Sequence, residues 1–204
     1  MQDSDNQSME NLFLKRKPIF FDLKRIFSVF AGILFVSMFF FSCVTPPARE
    51  ECSRELLGSG IKSSEQLVKF FMNHKPDADK EKVGRLASYY IEESAIEGIN
   101  SDVAFVQMCL ETGFLGYGNL VLPEMNNFAG IKIKNPEGDR TEDHETFATP
   151  EDGVRAHFNH MSAYIGVEPV GEVHDRYYVV KSIDWAGSIK NLEALGGRWC
   201  PDLY

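Results

Sequence analysis

The chain has 204 residues, enough for one folded domain with additional segments. Hydrophobic residues make up 44% of the sequence and aromatic residues 12%, which allows a packed core and excludes a chain that is disordered throughout. The formal net charge of -9 at pH 7 argues against nucleic acid as a partner, because binding to phosphates requires a basic surface.

Residues 1–42 have the features of a secretory signal. A polar segment that ends in lysines and arginines precedes an uncharged apolar run, Ile26 to Phe41. This run is shorter than the roughly 20 residues of a membrane-spanning helix. Ser42-Cys43 then resembles the end of a bacterial lipobox, so Cys43 is the expected lipidation site and mature N-terminus. An uncleaved signal anchor is the alternative. Both place the rest of the chain outside the cytoplasm, attached to a membrane.

Residues 43–63 are predicted to be a tether, and residues 64–204 the folded domain. Prolines, alternating charges and a Gly-Ser-Gly stretch are typical of a linker. Cys109 lies in an apolar stretch and is expected to be a small buried residue. The sequence leaves open whether Cys52 and Cys200 form a disulfide.

Two amphipathic helices are predicted at the start of the domain. Ser63 or Ser64 can cap the first, and Pro76 breaks it. Asp79 caps the second, whose apolar residues recur at spacings of three and four, and Gly98 ends it.

A central helix follows, with Ser101 or Asp102 as its N-cap. It is apolar nearly all round, which predicts a buried helix. It ends in Glu111, which precedes a glycine-rich loop. A partly desolvated carboxyl at the negative end of a helix dipole keeps its proton more readily, which suits a general acid. A capping or ion-paired glutamate is the simpler alternative.

After the glycine-rich loop, the spacing of the hydrophobic residues changes from a helical pattern to an alternating one. Ile131 and Ile133 alternate with lysines as in a half-exposed strand, residues 135–139 form a turn, and His144 to Phe147 returns as a second strand. These residues predict a small β-hairpin lobe.

The last third is predicted to be helical again. Thr149-Pro150 begins a helix that ends at Gly166. Val167 to Tyr178 is predicted to be a loop, and Ser182 to Leu195 a further helix. The predicted fold is therefore α+β and mainly α: a helical bundle with a small β-hairpin lobe.

Three motifs, in this order, resemble glycoside hydrolase family 73, the endo-β-N-acetylglucosaminidases. They are Glu111-Thr112-Gly113, the NNFAGI stretch from Asn126 to Ile131, and the GVRAHFNHMSAY stretch from Gly153 to Tyr164. The resemblance covers roughly residues 80–204. It implies a lysozyme-like α+β fold and cleavage of the peptidoglycan glycan strand after N-acetylglucosamine.

The resemblance also implies catalytic residues. The family's catalytic acid is the glutamate of the first motif, which is Glu111 here. Some members take a second carboxylate from the β lobe, where Glu145 is the preferred candidate and Glu142 the next. Each is also explained as a solvated surface charge. Other members use water with inversion or the substrate's own acetamido group.

Amide and aromatic side chains of the same motifs are expected to bind the sugar, because amides bind N-acetyl groups and aromatic faces suit sugar rings. The candidates are Tyr117, Asn127, Phe128, Gly130, Phe147, His160 and Tyr164. His157 is expected to be a packed, hydrogen-bonded residue. No metal site is predicted, because the two histidines lack a third ligand at useful spacing, and no cofactor is expected.

Two other functions compete with a membrane-tethered glucosaminidase. A non-catalytic cell-wall-binding lipoprotein explains the uncertain second carboxylate. A lytic transglycosylase also uses one glutamate, but the Glu-Thr-Gly and NNFAGI motifs favour the glucosaminidase.

Overall fold

A computed structural model describes residues 52–118 and 120–196. Three helices come first: α1 (Ser64–His74), α2 (Lys80–Glu97) and α3 (Ser101–Glu111). Ser63 caps α1 through a reciprocal hydrogen-bonded pair with Gln66, and the Asp79 carboxylate accepts backbone N–H groups at the start of α2. These caps confirm the predicted starts of both helices, and Gly98 ends α2 as expected.

Three further helices follow: α4 (Pro150–Ile165), α5 (Arg176–Lys181) and α6 (Leu192–Leu195). Two single 3-10 turns, Pro123–Met125 and Thr141–Asp143, lie in the long connection before α4. Thr149 caps α4, and Gly166 ends it in the left-handed conformation, as predicted.

One apolar core joins the helices. Its fully buried large side chains come from α1, α2, α3, α4 and the loop before α4, and include Phe71, Tyr90, Phe105, Phe128 and Phe158. Cys109 is also buried in this core, as expected. α3 is buried along most of its length and packs against α1 and α2, while α2 also packs against α4.

Asn100, rather than Ser101 or Asp102, caps α3. Its side-chain oxygen accepts the backbone N–H groups of Asp102 (3.0 Å) and Val103 (3.4 Å), while its amide nitrogen donates to Glu55 O (3.1 Å). Asp102 is occupied elsewhere, because its carboxylate accepts the N–H of Ile61 (3.0 Å). The prediction of the cap was therefore wrong by one or two residues.

Part of the predicted tether packs onto the domain. Leu56 is fully buried in the core. Its N–H donates to Lys190 O (2.9 Å), and its carbonyl accepts the N–H of Asn100 (2.9 Å). Single antiparallel bridges join Glu55 to Asn191 and Leu57 to Ile99. The packed body of the domain therefore includes residues before the predicted boundary at residue 64.

The predicted β-hairpin lobe is not supported. Within the described ranges this segment has a single antiparallel bridge, between Lys132 and His144. Between the two bridged residues the chain forms a 3-10 turn held by Asp143, which accepts the N–H groups of Glu137 (2.8 Å) and Arg140 (3.0 Å). This turn and the side-chain bonds of Asn127 occupy backbone groups that a longer ladder would need.

The predicted helix from Ser182 to Leu195 was also wrong. The helical residues are those of α5, which begins inside the predicted loop, and of the short α6. The chain between them is held by α4 instead: Gly187 N–H donates to Ala163 O (3.1 Å) and Ile189 N–H to Tyr164 O (3.1 Å). Gly187 has a φ of 77°, so the backbone turns there rather than continuing a helix.

No helix in residues 52–118 and 120–196 is long and apolar enough to cross a membrane. The predicted signal sequence, the lipidation site Cys43, and Cys200 all lie outside the described residues.

The first turn of α4 makes an unusually close contact with the NNFAGI loop. A Cβ atom built on Gly153 would lie 1.8 Å from Asn126 O and 3.2 Å from the ring of Phe128. The absence of a side chain at Gly153 therefore allows α4 to approach this loop.

Replacing Gly153 with alanine is expected to destabilise the fold by at least about 2 kcal/mol, because backbone must move to admit the methyl group. Gly84→Ala is the matched control: this glycine lies inside α2 with open space around it, and alanine should stabilise the helix by roughly 0.5–1 kcal/mol. Urea unfolding of both variants measures the difference. Equal stabilities would contradict the close contact.

Candidate active site

Glu111 is the last residue of α3 and lies where this buried helix reaches the surface. Met108 and Cys109, one turn earlier, are fully buried, whereas Leu110 is 69% exposed and Glu111 is exposed. The protein itself therefore does not bury this carboxylate, contrary to the expectation of partial desolvation. A substrate that covers the end of α3 would have to exclude the water.

The turn after Glu111 is built from left-handed residues. Phe114, Leu115 and Tyr117 have φ angles of 55°, 57° and 51°, which cost a non-glycine residue about 1 kcal/mol or more each. Hydrogen bonds hold the turn: Phe114 N–H donates to Cys109 O (2.7 Å), and Tyr117 N–H donates to Thr112 O (2.8 Å). The end of α3 is therefore fixed by a defined turn rather than by a loose glycine loop.

Two opposite charges act on Tyr164 of α4. Burial raises the pKa of its phenol, the positive charge of Arg176 acts to lower it, and the negative charge of Glu111 acts to raise it. Both charges are therefore within electrostatic reach of one phenol. The structure thus brings together the Glu-Thr-Gly motif, the end of α4 and the start of α5.

Aromatic rings continue from Tyr164 in two directions. His160, one turn earlier on α4, has its ring centre 5.4 Å away, and Trp185 packs against the other side with ring centres 5.0 Å apart at 33°. Trp185 was missed because it was assigned to the interior of a predicted helix. Ser182 and Gly187 around it could have indicated a turn that presents an aromatic side chain.

The two histidines of α4 are held neutral. Burial lowers the pKa of His157 to about 3. His157 accepts or donates at both ring nitrogens, with the Tyr90 hydroxyl at 2.9 Å and Gln107 Oε1 at 3.3 Å, so it is the packed residue that was expected. Burial also lowers the pKa of His160 to about 3, helped by the positive charge of Arg176 and by the repulsion that would arise if the neighbouring histidines were protonated as well. A neutral His160 can hydrogen-bond but does not carry a spare proton at neutral pH.

The two candidates for a second carboxylate have different surroundings. Glu142 is exposed and forms an ion pair with Arg140 (3.2 Å). The side chain of Glu145 is 24% exposed, lies 3.5 Å from His174 Nε2, and lines a cavity that also contains Phe147. Glu145 is therefore the less exposed of the two and the one that lines a cavity.

Asn127 and Phe128 do not line an open surface. Asn127 is fully buried: its amide nitrogen donates to Ile131 O (2.8 Å) and Glu145 O (3.0 Å), and its oxygen accepts Ile131 N–H (2.9 Å). With both donors used inside the protein, Asn127 supports the loop instead of binding a sugar directly. Phe128 is 1% exposed and belongs to the core. Gly130, with a φ of 60°, is the exposed member of the motif.

Tyr117 and Phe147, the other two aromatic candidates for sugar binding, are both mostly buried. The Tyr117 hydroxyl is buried with no hydrogen-bond partner among the described residues, and burial raises its pKa to about 12. Its hydroxyl therefore points away from solvent, which does not fit a sugar-binding wall. Phe147 is 7% exposed and packs edge-on against His174, with ring centres 5.2 Å apart.

Within the described part of the chain, no group of three His, Cys, Asp or Glu side chains is arranged to hold a metal ion.

Comparison with known proteins gives two matches. The family model for mannosyl-glycoprotein endo-beta-N-acetylglucosaminidase, named Glucosaminidase, matches residues 87–194. An uncharacterized protein of Borreliella burgdorferi is 36% identical over 152 residues, which cover 73% of this chain and 71% of that protein. No solved structure matches.

The neutral buried histidines predict a pH dependence of stability. The unfolded chain binds protons at histidine below about pH 6.5, whereas folded His157 resists protonation down to about pH 3. The free energy of unfolding should therefore fall as the pH drops through this window, by about 1.4 kcal/mol per pH unit for each such histidine. Urea unfolding at pH 6.5, 5.5 and 4.5 measures this slope.

His157→Gln should reduce the slope by the contribution of one histidine. Tyr90→Phe is the control, because it removes the hydroxyl partner of His157 but keeps the titrating ring. It should lower stability at every pH and keep the slope. An unchanged slope in His157→Gln would contradict the assignment.

Proposed function

Since the chain belongs to the glucosaminidase family, we propose that it is an endo-β-N-acetylglucosaminidase that hydrolyses the glycan strand of peptidoglycan after N-acetylglucosamine. At the level of the family, the match indicates a peptidoglycan-active glycosidase. We propose in addition which glycosidic bond is cleaved, which residues catalyse the reaction, and that a lipid anchors the chain.

Glu111 acts as the general acid. Its proton passes to the glycosidic oxygen as the C1–O bond breaks, and water then adds to C1, which leaves a new reducing end. The observation that carries this role is the position of Glu111 at the exposed end of a buried helix, within electrostatic reach of Tyr164.

The half-buried Trp185 supports a sugar-binding surface in this part of the molecule. Tyr164, which is 8% exposed, stacks on it at a shallow angle, and His160, which is 9% exposed, continues the row along α4. Flat rings of this kind pack against the apolar faces of sugars. A neutral His160 can donate or accept a hydrogen bond to a sugar substituent without adding charge.

The second carboxylate in this proposal is Glu145. It activates the attacking water or orients the substrate's acetamido group from the loop before α4. Its neighbour His174, with a ring nitrogen at 3.5 Å, orients the carboxylate.

The domain is held at a membrane outside the cytoplasm. The support for this is the sequence of residues 1–42 and Ser42-Cys43, with Cys43 as the lipidated N-terminus. Metabolic labelling with a fatty-acid analogue, lost in Cys43→Ser, would test the anchor independently of the enzymatic activity.

Glu111→Gln should lower the rate of glycan cleavage by about 10²–10⁴-fold, because the amide cannot donate the required proton. Glu92→Gln, the same change on an exposed face of α2, should leave the rate within about twofold. Mass analysis of the products from purified peptidoglycan gives both the rate and the bond.

The products also separate the competing functions. New reducing N-acetylglucosamine ends, absent with Glu111→Gln, support the proposal. Anhydro-sugar ends identify a lytic transglycosylase, and binding of glycan without any product identifies a cell-wall-binding protein. An active Glu111→Gln enzyme overturns the role of Glu111.

Glu145→Gln and Glu142→Gln form a matched pair. If Glu145 activates water or the acetamido group, its replacement should lower kcat by about 10² or more. Glu142→Gln breaks only an exposed ion pair and should change kcat less than about threefold. Equal effects in the two variants would remove Glu145 from the mechanism.

A further inference from the structure

A cavity of about 490 Å³ lies beside Glu145, between a face of α4 and the loop at residues 172–175. One wall is a face of α4, where Arg155 and Asn159 are four residues apart and so lie one above the other. The other wall is the loop that contains Glu172 and Asp175. Phe147, Ala156 and Val173 add apolar surface between them.

The α4 wall holds a hydrogen-bond donor that the protein does not use. Asn159 is 1% exposed, and its side-chain oxygen accepts the backbone N–H of His174 (2.8 Å). This bond fixes the amide orientation, because an N–H group can only donate. The amide nitrogen is buried without a partner among the described residues. A buried donor left unsatisfied costs about 1–3 kcal/mol, so a ligand oxygen at this point would recover that cost.

The loop wall holds an excess of negative charge. Glu172 forms no ion pair with the described residues, while Asp175 is paired only with the exposed Lys134 (3.4 Å). On the α4 side, Arg155 is engaged by Asp152 (3.4 Å) and by the buried Glu93 (3.7 Å). With Glu145 and Asp152 also in its lining, the cavity has more acidic than basic side chains, which favours a ligand with a cationic group.

We propose that this cavity binds the stem peptide of peptidoglycan. A carbonyl or carboxylate oxygen of the peptide accepts a hydrogen bond from the Asn159 amide, and a basic side chain lies against Glu172. The methylene groups of that side chain pack on Phe147 and Val173. The volume of the cavity is within the range of small-ligand sites.

This inference rests on the proposed function in one respect: a peptide is part of the substrate only if the glycan is peptidoglycan. Glu145 belongs to both sites, so a bound stem peptide would hold the attached sugar beside the second carboxylate. The enzyme would then prefer strands that carry peptides over bare glycan.

The test uses the full-length chain in detergent micelles and the tripeptide Ala-γ-Glu-Lys, free or acetylated at the lysine side-chain amine. Isothermal titration calorimetry should show binding of the free tripeptide. Acetylation should weaken binding at least about tenfold, since it removes a charge-assisted hydrogen bond.

Glu172→Lys should weaken binding of the free tripeptide by a similar factor. Glu92→Lys, the same charge change on α2, is the control and should weaken it less than about twofold.

Asn159→Asp tests the other wall. It keeps the oxygen that accepts His174 N–H but replaces the unused donor with an acceptor. Binding of the tripeptide should again weaken about tenfold or more, and circular dichroism checks that the variant is folded.

Three results would overturn the inference: no binding by the folded wild-type chain, equal affinity for the free and acetylated tripeptides, or equal losses of affinity in Glu172→Lys and Glu92→Lys.

Hydrolysis of peptide-free glycan is measured in parallel. Cleavage of that glycan without tripeptide binding removes the inference and keeps the proposed function. Tripeptide binding with no cleavage of any glycan removes the proposed function and keeps the peptide site.

Discussion

The contact between α4 and the NNFAGI loop is the constraint on which the candidate site depends. Gly153 lets the helix approach until Asn126 O occupies the space where a Cβ atom would lie. From that point α4 runs past the cavity to Ile165, and its last turn carries Tyr164, on which the charge of Glu111 acts. Asn127 extends the same contact by holding the backbone of Glu145. A shift of this helix start would therefore move the α4 wall of the cavity and the backbone of one candidate carboxylate together.

Charge in the site is controlled by burial more than by ion pairs. Arg176 has a pKa lowered mainly by desolvation, and its charge acts on the Tyr164 phenol and on the neutral imidazole of His160. Among the described residues, the charges that act on Tyr164 are those of one acid, Glu111, and one guanidinium, Arg176. An arrangement of this kind suits an uncharged or mixed-charge glycan better than a polyanion.

Residue patterns along the chain were enough to place the helices that carry the site. The caps Ser63, Asp79 and Thr149 and the terminating Gly98 and Gly166 are local signals, and each acts at its predicted helix end. The hairpin and the last long helix failed for a common reason: side-chain and backbone bonds from distant residues, such as Asn127 and Ala163, override the local period.

The candidate site was predictable only in part for the same reason. Glu111, Tyr164 and His160 come from recognisable motifs, and the structure brings Tyr164 near the other two. In the sequence, Asn127 looks like a ligand-binding residue. A buried amide that supports a loop and an exposed amide that binds a ligand cannot be told apart from the residue pattern alone. Trp185 and Asn159 stand out only once their three-dimensional neighbours are known.

The burial of Leu56 has a mechanical consequence. Any pull on the chain from the N-terminal side enters the domain at residues 54–58, which are bonded to the C-terminal segment and to Asn100. Asn100 caps the start of α3, whereas Glu111 lies at its other end, about 16 Å away along an 11-residue helix. Tension on the N-terminal segment is therefore borne at the far end of the helix that carries Glu111, so it does not act directly on that residue.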